Sequence, residues 1–180
     1  RTVAAASPRL PVRLAALGHR WGEGRAGGQE QASALFGPVL ARWRLPKVLC
    51  RTVLELMAHH RHPAPDDKTL RRWLGRFGAE WVEDLLSLME ALAQAQEDGA
   101  RLDALGQARR RLARMLAEEE MVGPHDLALD GTDIMDILGL PPGPEVGRWK
   151  KALYEYVLED PRRNTPETLR SWLLSQSKGG

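Results

Sequence analysis

The chain has 180 residues, 43% hydrophobic and 28% charged, a balance typical of a globular protein that excludes a disordered chain. The formal net charge of +2 is too small to indicate a nucleic-acid partner, so such binding would need local basic patches. The single cysteine, Cys50, excludes an internal disulfide. No apolar run approaches the roughly 18 residues of a membrane span. We therefore expect a cytoplasmic protein without a membrane partner.

Apolar residues recur at helical spacing almost throughout the chain, which predicts an all-α fold. In the first helix this spacing places Leu10, Leu14 and Leu17 on the buried face, and Gly99 is expected to end the fifth helix. The predicted helices of this part cover residues 8–20, 29–42, 46–61, a short stretch after Asp66 or Asp67, 80–97 and 102–120, with a glycine-rich loop of Gly22, Gly24, Gly27 and Gly28 after the first.

A boundary at Gly123-Pro124 separates a smaller helical region from the rest of the chain. The sequence there predicts three helices: one from Gly131 to Gly139, one through residues 146–157 that Pro161 ends, and a last one with Thr165 as N-cap and Pro166 at its first position.

The segment LAALGHRWG at residues 14–22 resembles the signature of metal-dependent HD phosphohydrolases, which place a His-Asp pair at the end of an apolar helix. His19 keeps the histidine, but Arg20 stands at the carboxylate position and Gln29 at the next histidine; Glu30 and His59 or His60 match the later pattern. Since a cation cannot ligate a metal and repels one, we predict a degenerate HD-like domain without a metal site.

Two other acidic groups invite a metal-site interpretation. His125-Asp126 follows a Gly-Pro step in a polar turn, where an aspartate is expected for turn formation alone. Asp130, Asp133 and Asp136 share one side of a predicted helix, but the first two lie at its start, where negative charge is favourable. We therefore predict capping, and no metal ligand in the chain.

The turn at residues 139–147, GLPPGPEVG, resembles the helix-hairpin-helix turn that presents free amides to a nucleic-acid phosphate. Pro144 has no amide to donate and Glu145 places a negative charge there, so we favour a packing turn and keep a phosphate site as the alternative.

Basic residues give the best binding signal, because they cluster on three helices. Such a cluster is often only a solvated face, but three on one small chain favour contact with a phosphate backbone. The candidate RNA-binding residues, the first four of them placed opposite the apolar stripe of their helix, are Lys68, Arg71, Arg72, Arg76, Arg110, Arg114, Arg148, Lys150 and Lys151.

The order of these segments resembles the C-terminal half of bacterial tRNA nucleotidyltransferases of the class II poly(A) polymerase family. After the degenerate HD helices come LRRWLGRFG at residues 70–78, GTDIMDILGLPPGPEVG at 131–147 and NTPETL at 164–169. The resemblance implies a degenerate HD-like helical domain at 1–65, a helical body at 66–122 and a C-terminal tail at 123–180 with a helix-turn-helix-like Gly/Pro turn.

The same resemblance implies a division of labour. In that family an N-terminal head holds metal ions on paired aspartates, a neck selects the nucleotide, and the body and tail hold tRNA. This sequence contains neither the Gly-Gly turn nor the Asp-x-Asp strand of the head. We therefore expect an RNA-binding chain without catalytic residues or a cofactor of its own. Its partners would be tRNA and the head of the same protein, which would bind Mg²⁺ and nucleoside triphosphates.

Alternatives remain at this point. The parent could add CCA, CC, A or a poly(A) tail, because those determinants lie in the head and neck. A working HD phosphohydrolase and a stand-alone helical protein-interaction module are the other two functions that the sequence leaves open.

Overall fold

The computed structural model describes residues 8–20, 28–118, 123 and 125–177, with the side chains of 28–33 left out. All regular structure in these ranges is helical, which confirms the predicted all-α class. None of the described helices is long and apolar enough to cross a membrane. The α-helices are α1 Leu10–Gly18, α2 Gly28–Arg42, α3 Lys47–His59, α4 Asp67–Phe77, α5 Ala79–Ala95, α6 Gly99–Ala117, α7 Gly131–Leu138, α8 Pro144–Glu159 and α9 Pro166–Ser177, with a 3-10 turn at Pro161–Arg163.

The chain folds as two compact units. We call Arg1–Asp66 with Phe77–Ala113 the N-terminal unit, and Asp67–Arg76 with Arg114–Gly180 the C-terminal unit. Most of α4 therefore groups with the last third of the chain, while the division into regions 1–65, 66–122 and 123–180 that the resemblance implies stays a prediction. The glycine loop at 21–27 lies outside the described residues.

The N-terminal unit is built around α5, whose apolar residues are buried along most of its length. Helix α1 packs against α3 and α5, and α2 packs against α3. The predicted buried face of α1 was wrong: Leu10 and Leu17 are 53% and 50% exposed, while Val12, Ala15 and Ala16 are buried. Small residues face inward because α1 lies close to its neighbours.

The reversal between α5 and α6 also differs from the prediction. Glu97, with φ of +57°, takes the left-handed conformation, and the Asp98 amide donates to the carbonyl of Ala93. Gly99 is the first residue of α6 and does not end α5. A non-glycine residue in the left-handed region thus supplies the turn that glycine was expected to supply.

The C-terminal unit has a small core between α7, α8 and α9. Its buried residues are Leu129, Ile134, Leu153, Val157, Leu169 and Leu173. The predicted N-cap of α9 is confirmed, since the Thr168 amide donates to Thr165 Oγ1 at 3.3 Å. Gly139 ends α7 in the left-handed conformation with φ of +65°, as the sequence predicts.

Asn164 connects the segment before α7 to the segment before α9. The Ala128 amide donates to Asn164 Oδ1, and Asn164 Nδ2 donates to the Asp126 carbonyl, both at 2.8 Å. One amide side chain thereby satisfies two backbone groups of a segment without regular structure. This contact gives the first residue of the NTPETL segment a structural role.

Candidate nucleic-acid interface

Arg71, predicted to lie opposite the apolar stripe of α4, is buried with 8% of its surface exposed. Its Nη1 donates to the carbonyls of Leu158 and Glu159, each at 3.2 Å. These are among the last carbonyls of α8, which have no partner within the helix. The predicted exposure of Arg71 was therefore wrong, because its guanidinium is used to cap α8.

Lys68 and Arg72 in the same helix are half-buried and face carboxylates of α8. Lys68 Nζ lies 3.1 Å from Glu159 and 3.5 Å from Glu155, and Arg72 Nη2 lies 2.5 Å from Glu155. Hydrogen bonds from Lys68 and Arg163 hold the pKa of Glu159 below its usual value. The charge of both cations is compensated within the unit, which weakens their attraction for phosphate.

The candidates on α6 differ from each other. Arg114 is exposed but its Nη2 lies 2.8 Å from Asp67 Oδ2. Arg110 is exposed, and its side chain has no ion pair or hydrogen bond with any residue the structure describes. Arg76, on α4, is exposed as well.

The cluster on α8 is the least compensated. Arg148 and Lys151 are exposed, lie one turn apart, and have no acidic partner among the described residues. Lys150 is half-buried and close to Asp130. The pKa of Asp130 lies below its usual value, chiefly because the amides of Asp133 and Thr132 donate to it, with a smaller contribution from Lys150. Arg148 and Lys151, together with Arg110, are thus the candidates most available to an external anion.

The Gly/Pro turn before α8 supports the packing interpretation. Val146 packs against the core of the C-terminal unit, and its amide donates to the carbonyl of Gly143 at 3.2 Å. Pro144 and Glu145 are exposed. The Val146 amide at the start of α8 is therefore used within the turn. The exposed carboxylate of Glu145 would repel a phosphate at this helix start.

The histidines of the HD-like segment are explained by their local hydrogen bonds. Nδ1 of His19 bonds to the Ala16 carbonyl and Nδ1 of His60 to the Met57 carbonyl, both at 2.7 Å. His59 bonds in the same way to the Glu55 carbonyl at 2.8 Å. Each of the three rings therefore lies against a carbonyl near the C-terminal end of its own helix.

His19 and His60 do meet, with ring centroids 6.0 Å apart, but no third ligand joins them among the side chains that the structure describes. Across the ranges whose side chains are described, no group of three or more His, Cys, Asp or Glu residues could hold a metal ion. The side chains of Gln29 and Glu30 lie outside the described residues.

The acidic residues near α7 take the local roles that the sequence predicts. The Gly123 amide donates to Asp126 Oδ2 at 2.7 Å, which closes a turn. Asp130 accepts from the amides of Thr132 and Asp133, while the Asp133 carboxylate accepts from the Asp130 amide. This reciprocal pair is a capping box and explains both carboxylates without a metal.

An aromatic cluster in the C-terminal unit has no counterpart among the residues that the sequence singles out. The rings of Tyr156 and Trp172 stack with centroids 5.0 Å apart and an interplanar angle of 22°. Arg163 Cζ lies 4.6 Å from the Tyr156 ring centre, and Trp149 meets Trp172 edge-on at 6.5 Å. In the sequence, the only sign of a polar surface beside this cluster is the spacing of Thr168, Ser171 and Ser175 around Trp172. This spacing places their hydroxyls on one side of α9.

Comparisons with known proteins agree with the resemblance drawn from the sequence. Residues 30–173 match a family model described as tRNA nucleotidyltransferase domain 2. An A-adding tRNA nucleotidyltransferase of Deinococcus radiodurans is 37% identical over 134 residues, covering 71% of this chain and 30% of that protein. A CC-adding tRNA nucleotidyltransferase of Thermus thermophilus is 32% identical over 181 residues, covering 92% of this chain and 40% of that protein. The chain thus spans less than half the length of these relatives, and no solved structure matches it significantly.

Proposed function

This chain belongs to the tRNA nucleotidyltransferase family through its domain 2, and on that premise we propose that it binds tRNA. The relatives are named for the addition of A or CC to tRNA, so tRNA is the RNA that such a domain would hold. Nucleotide addition itself would be performed by a catalytic head outside this sequence, where Mg²⁺ and the nucleoside triphosphate would bind. Such a complex would work in the cytoplasm, where we place the protein.

The observation that carries this proposal is the exposed pair Arg148 and Lys151 on α8. A phosphate backbone attracts cations whose charge is not already compensated, and an exposed pair one turn apart can contact successive phosphates. Arg110 is the uncompensated candidate in the N-terminal unit. Lys68, Arg72 and Arg114 would contribute less, because each faces a carboxylate.

Recognition of this kind would depend on RNA shape more than on sequence. The backbone and the 2′-hydroxyls of folded RNA present a surface that a rigid helical protein can match without reading bases in a duplex. The choice between CCA, CC, A and poly(A) addition would then be made in the head. The relatives agree with this, since two of them add different nucleotides.

Charge reversal tests the proposal. We expect Arg148→Glu with Lys151→Glu to weaken binding of a labelled tRNA transcript about tenfold or more at low salt. The dependence of log K on log salt should also become shallower by roughly two, one for each lost phosphate contact. Fluorescence anisotropy over a salt series measures both quantities.

The matched control reverses two exposed cations of the N-terminal unit, Arg13→Glu with Lys47→Glu, which changes net charge equally. Equal losses in both double variants would mean that only total charge matters and would count against the α8 surface. Absence of tRNA binding in the unmodified chain, together with tight binding of a protein partner, would favour the interaction-module alternative.

A further inference from the structure

A cleft of about 480 Å³ lies beside the stacked rings of Tyr156 and Trp172, between α8 and α9. Its other lining residues are Glu167, Thr168, Ser171 and Ser175. We propose that this cleft accepts an unpaired nucleobase of the bound RNA, which stacks on the part of the Trp172 ring that lines the cleft and bonds to the polar side of α9. The inference rests on the proposed function and adds a base-binding site to a surface that otherwise contacts phosphates.

The aromatic side of the cleft is suited to stacking with a base. Trp172 is half-buried and lines the cleft, while Tyr156 covers one face of its ring and fixes its orientation. Arg163 Cζ lies 4.6 Å from the Tyr156 ring centre, and its Nη1 donates to the Tyr156 carbonyl at 3.4 Å, which further restrains that ring. A pre-ordered aromatic surface loses little conformational entropy when a base stacks on it.

Three hydroxyl side chains of α9 line the polar side of the cleft. Thr168 and Ser175 already have local partners, Thr165 Oγ1 at 2.9 Å and the Trp172 carbonyl at 2.7 Å. Ser171, exposed between them on the same side of the helix, has no hydrogen bond from its hydroxyl to any described residue. A hydroxyl can both donate and accept, so Ser171 suits the mixed donors and acceptors of a base edge or a ribose 2′-hydroxyl.

The charge at the cleft favours a base over a phosphate. Glu167 is exposed at the cleft, and the cation that contacts the lining residue Tyr156, Arg163, is paired with Glu159 at 3.0 Å. A carboxylate repels phosphate but accepts from the exocyclic amino group of cytosine, adenine or guanine. The cleft therefore fits a base, while phosphates are left to Arg148 and Lys151.

The proposed phosphate contact at Arg148 and the Tyr156 side of the cleft lie on the same helix, α8. Arg148 and Tyr156 are eight residues apart on α8, which corresponds to about 12 Å along the helix axis. A single strand held by phosphate contacts at Arg148 can therefore reach the cleft with a base a short distance along the chain.

The test uses the 180-residue chain and a short single-stranded oligoribonucleotide that carries one 2-aminopurine, with a second oligonucleotide of equal length that is abasic at that position. Stacking quenches 2-aminopurine fluorescence, and this readout does not report phosphate contacts. We expect quenching on binding to the unmodified chain, and about 5- to 150-fold weaker binding of the abasic oligonucleotide.

Ser171→Glu fills the cleft with a charged side chain without removing any core residue. Its matched control is Ser177→Glu, an equally exposed serine of α9 that does not line the cleft. We expect Ser171→Glu to abolish quenching and Ser177→Glu to retain it. Trp172→Leu should also lose quenching, and far-ultraviolet circular dichroism checks that this variant folds.

The outcomes separate the two proposals. RNA binding that depends on Arg148 and Lys151 but shows the same quenching in Ser171→Glu and in the unmodified chain overturns the base site and leaves the proposed function standing. Equal affinity for the abasic and complete oligonucleotides has the same consequence. If neither tRNA nor the oligonucleotide binds the unmodified chain, both proposals are wrong.

Discussion

Arg9 Nε lies 3.0 Å from Oδ1 of Asp84, a carboxylate of which only 2% is exposed in the N-terminal unit. The same guanidinium also contacts Glu80, which is largely exposed. Burial raises the pKa of Asp84 from 3.8 to about 6, and Arg9 opposes that rise. The pair therefore keeps Asp84 ionised at neutral pH and links the residue before α1 to the middle of α5.

Removing the cation should destabilise the fold at neutral pH. Arg9→Met leaves a buried carboxylate without its main counter-charge, and we expect a loss of about 1–3 kcal/mol in the free energy of unfolding, because Arg9 itself is partly exposed. Urea denaturation at pH 7 measures it. The double variant Arg9→Met with Asp84→Asn should recover most of the loss, and an undiminished loss in the Asn background would show that the ion pair is not its cause.

His60 should make the protein less stable in weak acid. Burial lowers its pKa from 6.5 to about 4, the bond to the Met57 carbonyl opposes this, and His19 and nearby arginines add to it. A histidine whose pKa falls on folding contributes stability above about pH 6.5 that is lost as pH falls toward 4. The free energy of unfolding of the unmodified chain, minus that of His60→Gln, should therefore decrease as the pH falls from about 6.5 to 4.

Asp84 acts in the opposite direction in the same pH range, since its raised pKa favours the folded state as pH falls from about 6 to 3.8. The two effects partly cancel in a single melting curve, so the difference between variants is the informative quantity. An NMR titration in which the His60 ring became protonated near pH 6.5 would contradict the prediction.

Arg71 should matter for stability and not for RNA affinity. Arg71→Met removes donors from two carbonyls at the end of α8, and we expect a loss of about 2–3 kcal/mol in the free energy of unfolding. Arg71→Lys should recover only part of it, because an ammonium cannot reproduce the planar geometry of guanidinium. Arg148→Met is the matched control and should leave stability within about 0.5 kcal/mol. Unchanged stability in Arg71→Met would contradict the capping role.

Two glycines should respond to alanine in opposite ways. A Cβ on Gly18 would lie 2.8 Å from ring carbons of Phe36, so Gly18→Ala should cost about 1–3 kcal/mol. A Cβ on Gly106, within α6, would lie 4.0 Å from Arg110 Nη1, the far end of a flexible side chain, so Gly106→Ala should be neutral or stabilising by about 0.5–1 kcal/mol. Thermal unfolding of both variants tests this, and a stable Gly18→Ala protein would mean that α1 is free to move away from α2.

Much of the fold could be predicted from short stretches of sequence. Proline, glycine and capping residues act within a few positions of a helix end, so the Thr165 N-cap and the Gly139 C-cap were both identified in advance. The family was also evident from the order of the segments, and the match over residues 30–173 confirms it.

Helix faces and charge partners were less predictable. Leu10 and Leu17 were expected to be buried because helical spacing places them on one apolar face, but the close approach of α1 to its neighbours selected Val12, Ala15 and Ala16 instead. Arg71 was expected to be solvated because it was placed opposite the apolar stripe of its helix. Its actual partners lie 87 and 88 residues away, and no local pattern encodes them.

The sequence alone therefore determined the helices, most of their ends and the family, because each depends on residue types or on neighbours a few positions apart. Only the tertiary structure decided which basic residues have partners within the fold. Lys68, Arg71 and Arg72 have partners in α8, while Arg148 and Lys151 on α8 have none among the described residues. It also brought Tyr156 and Trp172 together from two helices. Charge pairing and stacking are properties of the packed unit, since they depend on which distant groups share the same few ångströms.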